Sequence, residues 1–484
     1  MKFASNGSSR FLAFSFLPRT LCIALIANFM TGCAGRGSGT GPALSGSTSV
    51  TLLASSTAND QLSGLSLNIT GIALTNKAGK SVTLLGTPQS IEFMHLNGSV
   101  EPFTTVSIPQ DVYTSATVNY VSDDLICVGQ NAAAGEDVFN SSIGLAVGQN
   151  IILPSPITVT GTAMGLTLDL QISRASNFDC IDTTVVNSVA GTFNLTSVTI
   201  ADSPTNSTNG KATGLRGSIG SVAANGAGFS VNGADGPVWQ VSTASNTVFQ
   251  GISGGSQLAA GLPVDMDVAI QADGSLLATR VAVYDINPSN LSFSIGPQVS
   301  VAASVSLMNP LSIQSHGPDF LGAEDGPMDY NFGSSAFQTS GQMANVSTLP
   351  FTASFNATNM VPGQSIFVTN HATQKIAPYQ ATTVTLLPQT INGTVSAVSS
   401  SGSFTIYTVS LAAYDLFPNF AVQPGQAALL TNPGSIVVYV DSNTQQLNSD
   451  PLAVGSVSRF NGLIFNDNGI LRMDCAQIND GVAE

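Results

Sequence analysis

The sequence predicts an all-β chain, and three observations support that fold class. Segments such as LTLDLQIS (166–173) and SIVVYV (435–440) alternate apolar with polar residues or are rich in β-branched side chains. Asn-Gly or Asp-Gly turn signals recur between such segments, as at 273, 392 and 468. No long stretch spaces its apolar residues by 3.6 positions, so helix is expected only in short turns.

The first 32 residues are predicted to be a secretory signal peptide. Basic residues precede a short apolar run, TLCIALIANFM (20–30), and the first acidic residue is Asp60. The run is shorter than the roughly 20 apolar residues of a membrane-spanning helix, and Pro18 and Arg19 interrupt its extension. No later segment is long and apolar enough, so no transmembrane helix is expected.

The residues MTGC (30–33) resemble a bacterial lipobox. This resemblance implies that Cys33 is lipidated and becomes the new N-terminus; ordinary cleavage, with Cys33 incidental, is the alternative. A Gly/Ser-rich tether (33–49) follows, as an anchored protein needs. Ala34, where an aspartate would be the retention signal, implies by the same resemblance an outer-membrane protein that faces the periplasm or the cell surface.

Composition fits export and excludes some partners. Without the signal peptide the chain keeps 10 Lys and Arg against 28 Asp and Glu, a formal charge of −18. Nucleic acid is therefore not expected as a partner, because nothing supplies a basic patch. Charged residues make up only 8% of the chain while apolar residues make up 43%, which predicts folded domains with polar but weakly ionic surfaces.

The N-terminal part, residues 50–202, is predicted to be one domain. Its strand pattern, with SLNITGIAL (66–74) and IPQDVYTSATV (108–118), resembles an N-terminal domain of unknown function in bacterial lipoproteins. That resemblance implies a β-sandwich. A polar linker (203–213) separates it from the rest of the chain.

After the linker the sequence repeats itself. GLRGSIGSVAANGAGFSV (214–231) parallels INGTVSAVSSSGSFTIY (391–407), and a more degenerate copy lies between them. The units resemble a second lipoprotein domain of unknown function, which implies about three small OB-like β-barrel repeats, at 214–287, 288–388 and 389–484. We expect these barrels to share little interface, like beads.

Four glycines are predicted to mark equivalent places in these barrels. Gly217 and Gly393 should match in the first strands. Gly274 and Gly469 should lie in equivalent tight turns before the last strand, with positive φ.

Catalytic signals are weak, and no catalytic residue is predicted. The string GISGG (251–255) matches the nucleophile-elbow pattern, but the segment after it is too short for the required helix, so a loop is expected. His95, His316 and His371 lie far apart without metal-ligand spacing and are predicted to be ordinary surface or strand residues. Trp239, the single tryptophan, offers little for an aromatic sugar platform.

One loop, 316–330, is a candidate cation site. Its oxygen ligands suit Ca²⁺, although their order departs from the calcium-loop signature, and a solvated acidic insertion is the alternative. The candidate ligands are Asp319, Glu324, Asp325 and Asp329. Asp441 and the pair at 123–124 are weaker candidates. No other cofactor is predicted.

The cysteines fit an oxidising compartment. Cys22 leaves with the signal peptide, and Cys127 and Cys180 are predicted to form a disulfide. Cys475 is expected to be a buried free thiol in the last strand, with an intermolecular bond as the alternative.

Two functional classes follow. The first is a lipid-anchored, non-catalytic envelope protein that acts as a spacer, scaffold or adhesion module and contacts an envelope protein or polysaccharide. The second is a hydrolase of envelope or extracellular polymer. The repeats favour the first, because they share no charged or nucleophilic residue. A cleft lined by two close carboxylates would favour the second.

Overall fold

The computed structural model describes residues 44–57, 64–96, 99–129, 137–140, 149–172, 191–200, 210–233, 237–286, 292–300, 311–315, 326–343, 346–370, 379–412, 417, 429–446 and 451–481. The chain divides into two compact units, 1–44 and 45–484, and every described strand lies in the second. The all-β prediction is confirmed. In the described part of the chain no helix is long and apolar enough to cross a membrane.

Two sheets that share one hydrophobic core form the N-terminal sandwich, as predicted. One sheet has the order β10-β9-β1-β5, and the other has β3-β2-β6-β7 with β4 and β8 paired to its inner strands. The strands are β1 Ser47–Thr57, β2 Gly64–Asn76, β3 Ser81–Leu85, β4 Gln89–Glu92, β5 Val100–Pro109, β6 Asp111–Gly129, β7 Asp137–Asn140, β8 Gln149–Val159, β9 Ala163–Ile172 and β10 Gly191–Val198.

Three further sheets of six strands have the same order. The first consists of β11 Lys211–Val222, β12 Gly228–Gly233, β13 Val238–Ser242, β14 Val248–Gln250, β15 Pro263–Ile270 and β16 Leu276–Val283. The middle one has β17 Ser292–Ser300, β18 Leu311–Ser315, β19 Gly326–Asn331, β20 Ala336–Thr339, β21 Ser365–Asn370 and β22 Tyr379–Leu386. The third has β23 Gln389–Ser401, β24 Phe404–Leu411, β25 Ser435–Val440, β26 Gln445–Gln446, β27 Val457–Asp467 and β28 Ile470–Asp480.

Each of these sheets closes into a barrel. The order in the first is β13-β12-β11-β15-β16-β14, and a parallel pairing of β13 with β16 returns the sheet on itself through five strands. The same parallel closure joins β19 to β22 and β25 to β28. This is a small five-stranded Greek-key barrel, the class to which OB-like barrels belong. The predicted series of barrels is therefore confirmed. The exact domain boundaries stay predictions, and β11 begins inside the predicted linker.

Equivalent backbone features, a β-bulge in the first strand and a glycine with positive φ, recur in the barrels. Gly217 and Gly393 lie two residues before a β-bulge in the first strand, as predicted. The residue two positions before the fifth strand of each sheet (β15, β21 and β27) is a glycine with φ near +90°: Gly261 (86°), Gly363 (89°) and Gly455 (92°). Because a Cβ strains this left-handed conformation, the repeated glycine fixes how the chain enters that strand in each barrel.

The last hairpins correspond less closely. Gly274 and Gly469 have φ of 83° and 88°, which confirms the predicted positive values. Gly469 ends a two-residue Asn-Gly turn between Asp467 and Ile470, whereas Gly274 lies in a longer turn in which Gln271 N donates to Ser275 O. The expected equivalence of the two turns is thus only partial, since the hairpin of the third barrel is longer.

Adjacent barrels share hydrophobic packing, contrary to the expected small interfaces. Leu463 and Phe465 of the third barrel belong to the core cluster of the middle barrel. Leu53 and Ile200 of the sandwich pack into the core of the first barrel. Trp239 of the first barrel also donates its Nε1–H to the Pro102 carbonyl of the sandwich, at 2.8 Å. The repeats are therefore packed against their neighbours and are not independent domains.

Candidate functional site

A cavity of about 250 Å³ lies where the first barrel, the third barrel and the segment after β20 meet. This junction cavity is slightly smaller than the roughly 300–1,000 Å³ of typical small-molecule pockets, so it suits one small polar group. Its lining comprises Thr213, Asp267, Gln342, Met343, Thr348, Leu349, Phe404, Asp441, Asn443, Gln445, Asp474, Cys475, Ala476 and Gln477.

Two carboxylates of the third barrel, Asp441 and Asp474, line the junction cavity. Asp474 lies on β28, and Asp441 begins the turn after β25. Burial, together with repulsion from Asp441, raises the pKa of Asp474 to about 6. A carboxyl group shifted by burial and a like charge in a cleft is a candidate site residue.

Asp441 also shapes its own turn. Its Oδ1 accepts a hydrogen bond from Asn443 N at 2.8 Å, and its Oδ2 accepts one from Asn443 Nδ2 at 3.0 Å. The Asp441 N–H donates to Thr444 Oγ1 at 3.1 Å, and Thr444 Oγ1 donates to the Cys475 carbonyl at 2.8 Å. Asp441 is therefore a turn-forming side chain as well as a wall of the cavity.

The same turn in the other barrels shows which parts the fold requires. Thr247 Oγ1 donates to the Ala278 carbonyl at 2.7 Å, and Ser335 Oγ donates to the Ala381 carbonyl at 2.8 Å. These bonds match that of Thr444 to Cys475. The hydroxyl is thus a shared structural device of all three barrels.

The carboxylates are not shared. The positions equivalent to Asp441 hold Ala244 and Phe332, and those equivalent to Asp474 hold Leu277 and Gln380. The barrel therefore folds without a carboxylate at either position. Of the three barrels, the third is the one that has the pair.

The other polar lining groups are the Asp267 carboxylate of the first barrel, which pairs with Arg280, and amides and hydroxyls, among them Gln342, Asn443, Gln445 and Gln477. The Gln342 Oε1 atom is buried and makes no hydrogen bond among the described residues. No Lys or Arg of the described part of the chain lines the junction cavity. Phe404 supplies an apolar wall. This combination suits a neutral hydrogen-bonding group better than an anion.

A buried charge network lies in the first barrel, beside Asp267 of the cavity wall. Asp265, fully buried, contacts Arg280 NH2 and accepts a hydrogen bond from Tyr284 OH at 2.8 Å. Arg280 Nε donates to Asp267 Oδ2 at 2.7 Å. Burial opposes the charge of Asp265, but Arg280 and Arg216 outweigh it and lower its pKa. Burial and the charge of Asp265 raise the pKa of Tyr284, which stays a phenol.

This network joins two barrels. Tyr284 OH also lies 3.1 Å from Ser340 Oγ, and its ring meets Phe367 edge to face at 5.4 Å. Gln250 Nε2 donates to the Gly341 carbonyl at 3.0 Å. The network therefore fixes the first barrel against the middle one, next to the junction cavity.

Most residues singled out in the sequence lie outside the described residues. These are Cys33, Cys180, His316, Asp319, Glu324, Asp325 and His371. Of Cys127 and Asp329 only the backbone is described, in β6 and β19. Lipidation at Cys33, the Cys127–Cys180 disulfide and Ca²⁺ binding by the acidic loop therefore stay predictions.

His95 differs from the expectation of an ordinary surface or strand residue. It lies in the 3-10 helix Met94–Leu96, with Nδ1 at 2.9 Å from Glu92 Oε2 and Nε2 at 3.1 Å from Glu101 Oε1. Glu92 ends β4 in one sheet and Glu101 lies on β5 in the other, so the imidazole links the two sheets of the sandwich.

Two sequence predictions about single residues are confirmed. The GISGG string follows β14 as a loop that ends where Gly255 begins the 3-10 helix Gly255–Gln257, and Ser253 Oγ donates to Gln257 Oε1 at 2.7 Å. Cys475 is a free, buried thiol whose Sγ donates to the Gln477 carbonyl at 3.3 Å. Burial raises the pKa of this thiol. Among the residues that the structure describes, no group of three or more His, Cys, Asp or Glu side chains could hold a metal ion.

Comparison with known families identifies one part of the chain. Residues 216–282, from β11 to β16, match the family described as Domain of unknown function (DUF5666). The match covers the first barrel and agrees with the resemblance to a domain of unknown function, but it assigns no activity. No curated protein matches the chain.

Proposed function

We propose that the chain is a lipid-anchored, non-catalytic protein of the cell envelope that acts as a spacer, scaffold or adhesion and binding module. One observation carries this proposal. The three barrels share one strand order and closure, but the two positions that carry the carboxylates of the third barrel hold other residues in the first and middle barrels, as Ala244, Phe332 and Asp441 illustrate. Copies of a catalytic unit would repeat the reacting groups, whereas copies of a scaffold need to repeat only the fold.

The packing between domains supports a spacer role. Hydrophobic clusters and side-chain bonds join the sandwich to the first barrel, and the first barrel to the middle one. Gln364 Nε2 of the middle barrel donates to the Ile464 carbonyl of the third at 2.8 Å. Such contacts hold the barrels at fixed positions, which is what a module that presents surfaces to a partner requires.

The anchor is the second part of the proposal. We propose that Cys33 carries the lipid and that the segment from there to the start of β1 at Ser47, which is all but the last three residues of the predicted tether 33–49, holds the protein at the outer membrane. Its partners there would be an envelope protein or polysaccharide and not nucleic acid, because acidic residues outnumber basic ones 28 to 13.

Fractionation of cells that express the full chain tests the anchor. Cys33→Ser should move the protein from the membrane to the soluble fraction. Cys22→Ser is the matched control, because Cys22 leaves with the signal peptide and its loss should change nothing. If Cys33→Ser fractionates with membranes as the parent does, the anchor is wrong.

A polymer hydrolase is the second candidate, and the junction cavity is the observation that favours it. Asp474, with its raised pKa, has the property of a general acid, and Asp441 is near enough to repel it. Against this role, both oxygens of Asp441 accept hydrogen bonds from Asn443. We therefore assign Asp441 to the turn.

Release of reducing ends from neutral polysaccharides separates the two candidates. The wild-type protein should release none above a blank. Release that is lost in Asp474→Asn and kept in Gln446→Ala, a change at an exposed glutamine of β26, would establish the hydrolase and overturn the non-catalytic role.

A further inference from the structure

A second concave site lies on the first barrel, apart from the junction cavity. This barrel groove has a volume of about 490 Å³ and is formed by the β11–β12 hairpin, β13 and the β15–β16 hairpin. Its polar lining consists of one amide and four hydroxyls, from Gln240, Ser221, Ser230, Ser242 and Ser275. Val222 and Ala223 supply the accessible apolar part of the lining, whereas Phe229 and Leu276 beneath it belong to the buried core of the barrel.

The hydroxyl protons of the barrel groove are largely used within the protein. Ser242 Oγ donates to the Leu276 carbonyl at 3.0 Å, and Ser275 Oγ donates to Asp273 Oδ1 at 2.6 Å. Ser221 Oγ and Ser230 Oγ are 2.8 Å apart, so one of their two hydroxyl protons lies in the hydrogen bond between them. A hydroxyl that already donates its proton within the protein can still accept a hydrogen bond from a ligand through its lone pairs. The groove is thus rich in acceptors, and a ligand should bring O–H or N–H donors.

Among the residues that the structure describes, no charged side chain lines the barrel groove. Asp273, the nearest carboxylate in these bonds, already accepts from the N–H and the hydroxyl of Ser275. An anionic ligand would meet no cation there, and a phosphate backbone would meet no basic side chain. The amide of Gln240 is exposed and can both donate and accept. The lining therefore matches an uncharged ligand with many hydroxyl groups, and its apolar part can cover C–H faces.

The barrel fold does not require this lining. In the third barrel Ala397 and Thr408 replace the pair Ser221 and Ser230 at the bulge. The position of Ser242 is there Tyr439, and Phe351 covers it at a ring distance of 4.8 Å. The third barrel therefore does not share the open, hydroxyl-lined surface, whereas the middle barrel repeats the serine pair at its bulge as Ser300 and Ser312.

We propose that the barrel groove binds a neutral oligosaccharide. The inference rests on the proposed binding role and names the chemical class of its ligand. It is independent of the lipid anchor, which fractionation tests separately.

Calorimetric titration of the purified full chain tests this proposal. The probes are cellohexaose, maltohexaose and N-acetylchitohexaose, with hexaglucosamine as the cationic probe and hexagalacturonate and an oligothymidylate as anionic ones. We expect at least one neutral hexasaccharide to bind with saturation. Gln240→Ala should weaken that binding about fivefold to tenfold, as expected for one lost hydrogen bond. Ser242→Ala should weaken it less.

Gln446→Ala, an exposed glutamine of the third barrel, is the matched control and should bind as the parent does. Equal melting temperatures establish that the variants are folded. Three results would overturn the proposal: no neutral probe binds at millimolar concentration, a charged probe binds more tightly than every neutral one, or Gln240→Ala binds like the control. If no glycan binds but Cys33→Ser is released from membranes, the lipid anchor is supported. Only the proposed class of ligand is then rejected.

Discussion

Asp474→Asn should stabilise the protein at neutral pH and not in acid. The ordinary pKa of this carboxyl is 3.8, and burial with the charge of Asp441 raises it to about 6 in the folded chain. Between these values the native state binds more protons than the unfolded state, so stability falls as pH rises from about 4 to about 6. Above this window the folded protein carries the whole cost of the charge. An uncharged side chain removes that cost.

The shift sets the size of the effect. Two pKa units correspond to about 3 kcal/mol as an upper limit. Because Asp474 is partly open to the junction cavity, solvent screens its charge. We therefore expect Asp474→Asn to raise the free energy of unfolding by about 1–2 kcal/mol at neutral pH. Thermal unfolding at pH 7.5 and pH 4 measures the difference, and hydrogen exchange in β27 and β28 shows that the gain lies in the third barrel.

Asp111→Asn is a control of opposite sign. Hydrogen bonds from Asn76 and from the Val112 N–H lower the pKa of Asp111, so this variant should lose stability at pH 7.5 and lose less in acid. An Asp474→Asn variant that is no more stable than the parent at pH 7.5, or that gains equally at pH 4, would refute the reasoning.

Three further predictions follow from buried contacts. Arg280→Met leaves the fully buried Asp265 without its main partner and should cost about 3–5 kcal/mol, measured by denaturant unfolding; a loss below 1 kcal/mol would contradict the pairing. Gly274→Ala should cost more than Gly79→Ala, which loses only about 1 kcal/mol from its positive φ. The reason is that a Cβ at Gly274 would overlap a sandwich threonine, whereas the one at Gly79 meets open space. Equal losses of stability in Gly274→Ala and Gly79→Ala would show that this contact does not limit the residue at position 274. Cys475 should resist alkylation in the native protein and react after unfolding, and rapid native labelling would contradict its burial.

The disulfide prediction is tested on exported protein. Cys127 and Cys180 should resist alkylation in the unfolded chain until a reductant is added, whereas Cys475 then reacts without one. Free thiols at the first two positions would reject the bond.

The fold was predictable because its signals are local. Alternating strands and Asn-Gly turns specify hairpins, and the repeated strings reveal that one unit occurs several times. Gly217 and Gly393 are equivalent in the structure because both lie two residues before the same bulge. The bulge itself leaves no comparable mark in the sequence.

The junction cavity was not predictable in this way. A sequence alignment that matches Gly274 with Gly469 pairs the wrong residues of β16 and β28. The reason is that the final hairpin is longer in the third barrel. In the structure Asp474 corresponds instead to Leu277, and only this register shows that a carboxylate has replaced an apolar residue. The contacts between barrels were also missed, since residues such as Leu463 and Phe465 read as ordinary core positions of their own barrel.

We expect the protein to hold its ligand on the first barrel without cleaving it. Hydrogen exchange of the full chain with and without the tightest neutral hexasaccharide tests this most directly, with mass spectrometry of the sugar from the same sample. We expect added protection in 221–230 and 240–242, no change in 441–445 and 474–477, and an intact sugar. Protection confined to the junction cavity, with shortened sugar chains, would contradict it.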